Sequence, residues 1–190
     1  NLARALSQTA LRLPHHPAVT WGERTQTWAE LDQRSDALAK ALRGAGMRTG
    51  DRIAVVMQNR PELLETMYAA FKAGLVFVPL NSKLSPSEID YHLADSGAAA
   101  LISDREVPDA PATVLVTGPH YEAVLSANLG CAPELTDVAP DAAAWLFYTS
   151  GTTGRPKGAV LSHGALSFVI ASWLADLTPM DQHDVTLHAA

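Results

Sequence analysis

The residues of this chain best suited to chemistry stand in one run, Tyr148 to Gly158, which reads Tyr-Thr-Ser-Gly-Thr-Thr-Gly-Arg-Pro-Lys-Gly. Seven of these eleven residues are serine, threonine or glycine, and a lysine stands next to the end. Glycine lets a backbone approach a ligand closely. Hydroxyls, loop amides and a lysine together offer many hydrogen-bond donors to an anion with many oxygens. This composition predicts a loop that binds a polyphosphate.

Two apolar segments flank this run, Ala144–Phe147 before it and Ala159–Leu161 after it. Each predicts a buried strand, so the loop would have a rigid support. A stretch rich in serine, threonine and glycine can also be a flexible surface linker. The flanking strands and the Pro-Lys-Gly ending favour a binding loop, in which Arg155 at the tip is expected to be solvated.

The run differs from two widespread phosphate loops. The Walker A pattern needs Gly-Lys followed by serine or threonine, whereas Lys157 lies between Pro156 and Gly158. The dinucleotide fingerprint needs Gly-x-Gly, which this loop does not contain. The run resembles, almost letter for letter, the phosphate-binding signature of the adenylate-forming superfamily. That superfamily includes acyl- and aryl-CoA ligases, the adenylation domains of peptide synthetases, and luciferases.

The resemblance extends along most of the chain. Gln26–Leu31 resembles the first helix entry of the superfamily, and Phe71–Asn81 resembles its second motif. Residues 105–141 match little beyond their length. The resemblance implies an α/β fold with a mostly parallel sheet and flanking helices, in which residues 1–190 form the N-terminal portion of the large domain. It also implies that the unit is truncated, without the rest of the large domain and the small C-terminal domain, and is inactive alone.

The resemblance implies that a carboxylic acid reacts with ATP to give an acyl-adenylate and pyrophosphate, and that the acyl group then passes to the thiol of CoA. ATP, Mg²⁺ and CoA are the implied cofactors, and a small-molecule carboxylic acid is the implied substrate. Thr149 resembles the threonine that reaches Mg²⁺. The implied phosphate contacts are Thr149, Ser150, Gly151, Thr152, Thr153, Gly154 and Lys157.

The catalytic residues stay unassigned, because the chain shows no acid, base or nucleophile in a catalytic pattern. Ser150 lacks the Gly-x-Ser-x-Gly elbow. Asn81 after Pro79-Leu80 favours a CoA ligase, since peptide-synthetase domains more often have aspartate there. Two alternatives remain open: an amino-acid-activating adenylation domain, and a non-ligase ATP-binding module or ATPase.

Composition excludes some classes of function. A net charge of −6 without a run of lysine or arginine argues against a nucleic-acid partner. The single cysteine, Cys131, cannot form an internal disulfide, which favours a reducing compartment. The longest nearly apolar stretch, residues 165–175, is too short to span a bilayer. We therefore expect a soluble, cytoplasmic protein.

The first half of the chain predicts alternating strands and helices. An amphipathic helix over Leu2–Leu13 would pack through Leu2, Leu6 and Leu11, and a hairpin would follow over residues 18–26. Thr27 with Glu30, and Ser85 with Glu88, have the spacing of capping boxes. The helix that begins near Pro61 is expected to end at Gly74. Continuous apolar strands between such helices predict right-handed crossovers and a parallel sheet.

The second half is less regular. Residues 108–140 are predicted to be loop-rich, with one strand at 114–116, and to connect two sheet systems. Ser162 is expected to cap a helix that runs to about Leu177, and Val185–Leu187 to begin another strand. Glu62 and Glu65 are expected on a solvated helix face. The histidines show no metal-binding spacing; His15 and His16 are expected at the surface, and His163 is expected to be a non-catalytic residue of a first helical turn.

Overall fold

The computed structural model describes residues 1–107, 110, 113–130, 135–150 and 155–187. In these ranges the chain forms six α-helices and eight strands. In chain order they are α1 Ala3–Arg12, β1 Pro17–Trp21, β2 Arg24–Thr27, α2 Trp28–Gly44, β3 Arg52–Val56, α3 Pro61–Ala73, β4 Val76–Leu80, α4 Pro86–Ser96, β5 Ala98–Ser103, β6 Thr113–Val116, α5 Pro119–Ser126, β7 Ala143–Thr149, β8 Lys157–Ser162 and α6 His163–Ser172.

Six of the strands form one sheet in the order β6-β5-β3-β4-β7-β8. The pairs from β6 to β7 are parallel, and only β7 and β8 are antiparallel. β1 and β2 form a separate antiparallel hairpin. The predicted α/β fold, a mostly parallel sheet with flanking helices, is confirmed.

Helices cover both faces of the sheet, because successive strand residues point to opposite sides. Ile53 and Phe77 lie on one face, in a core cluster that also holds residues of α1, α2, α3 and α5. Val56 and Val78 lie on the other face, where Leu93 and other apolar residues of α4 pack. α1, α2, α3 and α5 therefore pack on one face of the sheet, and α4 packs on the other.

Most local predictions for the first half are confirmed. The hairpin forms as expected, and both capping boxes are present. The Glu30 side chain accepts a hydrogen bond from the Thr27 amide at 2.8 Å. The anchors of α1 are partly wrong, because Leu11 is 83% exposed and the buried side chains are Ala3, Leu6 and Ala10. Spacings of three and four residues put these three on one helix face and turn Leu11 away from it.

Residues 108–140 contain the predicted strand as β6, but the prediction missed one helix and was wrong about what the segment connects. The segment contains α5, which buries Tyr121 and Leu125 at a spacing of four residues. It also connects two strands of one sheet, since Trp145 of β7 pairs with Phe77 of β4. α5 has only eight residues, too few for its apolar periodicity to stand out in the sequence.

The end of the described chain departs from the predicted buried strands. The Ser162 hydroxyl caps α6 by accepting from the Ala165 amide at 3.1 Å, and after α6 comes one π-helical turn, Trp173–Leu177. Phe147 of β7 is 49% exposed and β8 is exposed along most of its length. Residues 185–187 form no strand, because in the described chain no other strand pairs with them.

Glu62 and Glu65 are buried, so their predicted solvated position is wrong. Glu65 accepts hydrogen bonds from Arg34 at 2.6 Å, from Gln26 at 2.8 Å and from the Tyr121 hydroxyl at 2.7 Å. Burial and the neighbouring Glu65 raise the pKa of Tyr121 well above its ordinary value. A buried carboxylate with several donors and an ion partner avoids most of the desolvation penalty.

A second polar contact joins α2 to α3. The Lys72 side chain is buried, and its Nζ lies 2.5 Å from Asp32 Oδ1 and also contacts the Asp36 carboxylate. The ammonium group therefore has two negatively charged carboxylates close to it. This Lys72 contact and the Arg34–Glu65 ion pair both join α2 to α3 and so fix how these two helices pack on one face of the sheet.

Candidate functional site

The loop predicted to bind phosphate joins β7 to β8 at the carboxyl end of β7. β7 runs parallel to β4, and β8 returns antiparallel beside it. In open α/β sheets, ligands bind outside the carboxyl ends of the parallel strands. The sheet topology therefore puts Thr149 and Lys157, at the two ends of this loop, at the edge where a ligand is expected.

Thr149 and Lys157 lie directly opposite each other, as the last residue of β7 and the first of β8. Opposite residues of an antiparallel pair point to the same face of the sheet, with Cβ atoms about 5 Å apart. Both residues are exposed. A residue with a hydroxyl and a residue with an ammonium group thus share one face of the sheet at the mouth of the loop.

Only some of the seven predicted contacts belong to the described chain. Thr149, Ser150 and Lys157 do, and all three are exposed. Arg155 is exposed as well, in agreement with its predicted solvated position. The others lie outside the described residues and stay predictions from the sequence: Gly151, Thr152, Thr153 and Gly154.

Helix α4 contacts the residues on both sides of the loop. The Tyr91 hydroxyl donates to the carbonyl oxygen of Pro156 at 3.1 Å, and the Tyr148 hydroxyl donates to Asp95 Oδ2 at 2.7 Å. Burial and the Asp95 hydrogen bond raise the pKa of Tyr148, so its hydroxyl keeps the hydrogen that it donates. The ring of His92 packs edge-on against the ring of Tyr148, with centroids 4.5 Å apart.

Sequence reasoning missed these contacts. Tyr91 lies 65 residues before Pro156, and Asp95 lies 53 residues before Tyr148. Both side chains stand on a helix that the sequence predicted correctly, but nothing in its periodicity shows which loop the helix faces. Only the chain crossing from one strand to the next brings these groups together.

Gly158, the last residue of the signature run, leaves room for side chains of β7. A Cβ atom at this position would lie 2.8 Å from Leu146 Cδ1 and 3.4 Å from Tyr148 Cζ. The Tyr148 ring therefore passes over the backbone of β8 on its way to Asp95. A glycine here serves the packing of Tyr148 as well as the backbone of the loop.

The predicted contacts that the structure describes, Thr149, Ser150 and Lys157, are two hydroxyls and one cation. Such groups can bind and orient a polyphosphate, but they do not form a pair of groups that exchanges a proton. Throughout the described ranges, no cluster of three or more histidine, cysteine or acidic side chains could hold a metal ion. Mg²⁺ prefers carboxylates and phosphate oxygens, so Thr149 could supply only one of its ligands.

Comparison with known proteins relates the whole chain to one family. The family model described as AMP-binding enzyme matches residues 6–190. A feruloyl-CoA synthase from Amycolatopsis sp is 46% identical over 159 residues, which are 82% of this chain and 32% of that protein. An L-proline–[L-prolyl-carrier protein] ligase from Streptomyces coelicolor is 32% identical over 209 residues, with 95% of this chain and 39% of the relative covered.

A solved structure has the same fold as the described chain. The o-succinylbenzoate CoA synthetase from Bacillus subtilis, in complex with its acyl-adenylate intermediate, has a TM-score of 0.81 and 31% sequence identity. The match covers 94% of this chain and 47% of that one. The chain thus spans about a third of the length of the curated relatives it matches. In the described ranges, no helix combines the length and the apolar character needed to cross a bilayer.

Proposed function

Because the chain belongs to the AMP-binding enzyme family, we propose that it is part of an enzyme that activates a carboxylic acid with ATP and passes the acyl group to the thiol of CoA. In this proposal residues 1–190 form the N-terminal part of the large adenylation domain. The observation that carries it is the hairpin that sets Thr149 opposite Lys157 at the carboxyl edge of the sheet. This hairpin bears the phosphate-binding signature of the family.

In the first reaction, a carboxylate oxygen attacks the α-phosphorus of ATP, and the bond between the α-phosphorus and the bridging oxygen breaks. Pyrophosphate leaves with the electron pair of that bond. The hydroxyls and amides of the loop, Thr149 to Gly154, would hold the β- and γ-phosphates in line with the attack. Such alignment can contribute about 7–11 kcal/mol in favourable systems.

Lys157 would place a positive charge beside the oxygens that gain charge as pyrophosphate leaves. Lys157 is exposed at the mouth of the loop and lies opposite Thr149 in the β7–β8 ladder. Fixed donors aimed at developing charge stabilise a transition state more than the ground state. Mg²⁺, when bound, supplies further charge neutralisation; Thr149 would be one ligand, and its carboxylate ligand would have to come from outside these residues.

In the second reaction, the thiol of CoA would attack the acyl carbon and AMP would leave. We assign none of the described residues to this step. No pyrophosphate leaves in it. We also propose a cytoplasmic location, on the ground that the single Cys131 cannot form an internal disulfide. Cys131 itself lies outside the described residues.

Activation of an amino acid for a carrier protein is the second candidate, and the similarity to the L-proline ligase favours it. The similarity to the feruloyl-CoA synthase, at higher identity, favours an aromatic or other organic acid and CoA. Asn81 also favours CoA; it is exposed, and its side chain accepts from the Lys83 amide at 2.9 Å. We therefore rank the CoA ligase first.

Pyrophosphate release by the full-length enzyme tests the proposal. The enzyme would be given MgATP with ferulate, a fatty acid or L-proline in turn, with and without CoA. We expect pyrophosphate release that requires one of the organic acids, and a CoA thioester of that acid. Phosphate release without any acid would identify an ATPase, and dependence on L-proline without a CoA thioester would identify an amino-acid-activating domain.

Substitution of Lys157 tests the role of the loop within that activity. Charge-assisted contacts contribute about 1.5–3 kcal/mol, so Lys157→Met should slow adenylation about tenfold to a hundredfold. Thioester formation from preformed acyl-adenylate should keep its rate, because no pyrophosphate leaves in that step. Arg155→Met is the matched control: it removes an exposed cation two residues away and should leave both rates unchanged. Equal losses in both half-reactions for Lys157→Met would contradict the phosphate role.

A further inference from the structure

Helix α4 forms hydrogen bonds next to both residues at the mouth of the phosphate loop. The carbonyl of Pro156, which accepts from Tyr91, immediately precedes Lys157. Tyr148, which donates to Asp95, immediately precedes Thr149. One helix therefore holds the start and the end of the segment proposed to grip ATP.

The backbone of the sheet does little to fix this end of the hairpin. Both β4 and β7 are described throughout, and their ladder pairs only Phe77 with Trp145. Thr149 lies four residues beyond Trp145, and β8 has β7 as its neighbour in the sheet order. The two-stranded end that carries the loop thus extends beyond its backbone contacts with the parallel strands. An isolated two-stranded hairpin is only marginally stable, so other contacts must hold it.

Helix α4 is well fixed at both ends and along its buried face. A capping box of Ser85 and Glu88 closes its start, and Gly97 ends it with a φ of 60°. Ile89 and Leu93, four residues apart, are buried in the core against the sheet. Tyr91 and Asp95, also four residues apart, point from a second face of the same helix to the hairpin.

We propose that α4 sets the positions of Thr149 and Lys157 at the two ends of the phosphate loop, with Tyr91 and Asp95 as positioning residues that act through Tyr148 and Pro156. This inference rests on the proposed function. Tyr91 acts on the backbone beside Lys157, and Asp95 acts on the ring beside Thr149. A displacement of about 1 Å at a group that aligns a reaction can lower the rate about a hundredfold. The two hydrogen bonds thus contribute to the alignment of ATP through Pro156 and Tyr148.

Trypsin gives a readout of the loop that needs no substrate. Trypsin cleaves after Lys157 when that end of the hairpin opens. The bond after Arg155 precedes Pro156 and therefore resists trypsin. In the full-length enzyme, Tyr91→Phe and Asp95→Leu should each accelerate cleavage after Lys157 about three- to tenfold, which corresponds to one lost hydrogen bond. Asp95→Asn keeps an oxygen acceptor for Tyr148 and should stay close to the wild-type rate.

The kinetics of adenylation test whether the position of the loop ends affects the reaction with ATP. Tyr91→Phe and Asp95→Leu should each lower kcat/KM for ATP in adenylation about three- to tenfold, and the losses should multiply in the double variant because the two bonds are separate. Thioester formation from preformed acyl-adenylate should not change. Tyr121→Phe is the control for stability alone: it removes a buried tyrosine hydroxyl bonded to Glu65, so it should lower Tm but alter neither loop cleavage nor kcat/KM for ATP.

The outcomes separate this inference from the proposed function. If Lys157→Met slows adenylation while Tyr91→Phe and Asp95→Leu change neither cleavage nor kcat/KM, the positioning role is wrong and the phosphate loop stands. If these two variants accelerate cleavage while Lys157→Met leaves adenylation unchanged, the phosphate assignment fails and the functional part of this inference fails with it. If Tyr121→Phe changes kcat/KM as much as they do, general destabilisation explains the effect and overturns the positioning role.

Discussion

His163 is a buried histidine whose two ring nitrogens have different surroundings. It is 2% exposed, and its Nδ1 accepts a hydrogen bond from the Leu2 amide at 3.4 Å. Its Nε2 therefore carries the hydrogen, and among the described residues it has no hydrogen-bond partner. The ring packs edge-on against Phe71, with centroids 5.5 Å apart. His163, the first residue of α6, thus packs against α1 and α3, which confirms its place in a first helical turn; its non-catalytic role stays a prediction.

The burial of His163 predicts a pH-dependent stability. Burial lowers its pKa to about 4 from an ordinary value of 6.5. Between these values the unfolded chain binds a proton that the folded chain does not, so stability should fall as the pH decreases from about 6.5 to 4.

His163→Phe checks this expectation, since it keeps an aromatic ring beside Phe71 and removes the titration. Urea unfolding at several pH values should show a shallower loss of stability between pH 6.5 and 4 than in the unsubstituted chain. His15→Gln, which changes an exposed histidine, should keep the original slope. A slope that His163→Phe leaves unaltered would mean that other groups cause the acid sensitivity.

At the scale of the element, Gly74 ends α3 as the sequence predicts. It has a φ of 72°, a left-handed conformation that glycine adopts without a steric penalty. A Cβ atom there would lie 2.9 Å from Thr136 Cγ2 and 3.2 Å from Thr49 Cγ2. The position therefore excludes a side chain for two reasons, the backbone conformation and the space.

Gly74→Val should destabilise the fold through both effects. A non-glycine residue in this conformation costs about 1–3 kcal/mol, and overpacking costs about 1–3 kcal/mol more. Gly22→Val is a matched control, because Gly22 has a φ of 60° and no atom within 4 Å of the added Cβ. Denaturant midpoints should fall for both variants and further for Gly74→Val. Equal shifts would show that the contacts with Thr49 and Thr136 carry no cost.

At the scale of the whole molecule, one side of the described chain is apolar and exposed. It comprises the β7–β8 hairpin, α6 and the residues after α6, where Phe168 is 73% and Trp173 is 51% exposed. Apolar patches of this kind mark surfaces that another part of a protein or a partner covers. The chain also spans only about a third of the length of its curated relatives.

The 190 residues prepared alone should therefore lack adenylation activity. Nothing in the described part encloses the proposed ATP site, and water-exposed phosphates would not be held in line. Acid-dependent pyrophosphate exchange, measured on a preparation of verified 20.2 kDa mass, should be absent, and a hydrophobic dye should bind to the exposed face. Clear exchange activity in such a preparation would contradict this prediction.

The sequence by itself determined the features that depend on neighbours within a few residues. The capping boxes at Thr27 and Ser85, the end of α3 at Gly74 and the run of apolar strands all follow from local sterics and hydrogen bonding. The signature run from Tyr148 to Gly158 likewise identified the family before any coordinates, and it predicts the site. Local rules suffice there because each group finds its partner within one turn or one loop.

Only the tertiary structure decided which groups meet across long stretches of chain. It buried Glu62 and Glu65, which the helical pattern left to solvent, because donors from other elements reach them: Arg24 bonds to Glu62, and Arg34, Gln26 and Tyr121 bond to Glu65. It left residues 185–187 without the strand that their β-branched and apolar side chains favour, since a strand needs a neighbour for its backbone. It also brought Tyr91 and Asp95 to the loop. These outcomes depend on partners more than thirty residues away, whose arrival is set by the order of strands in the sheet.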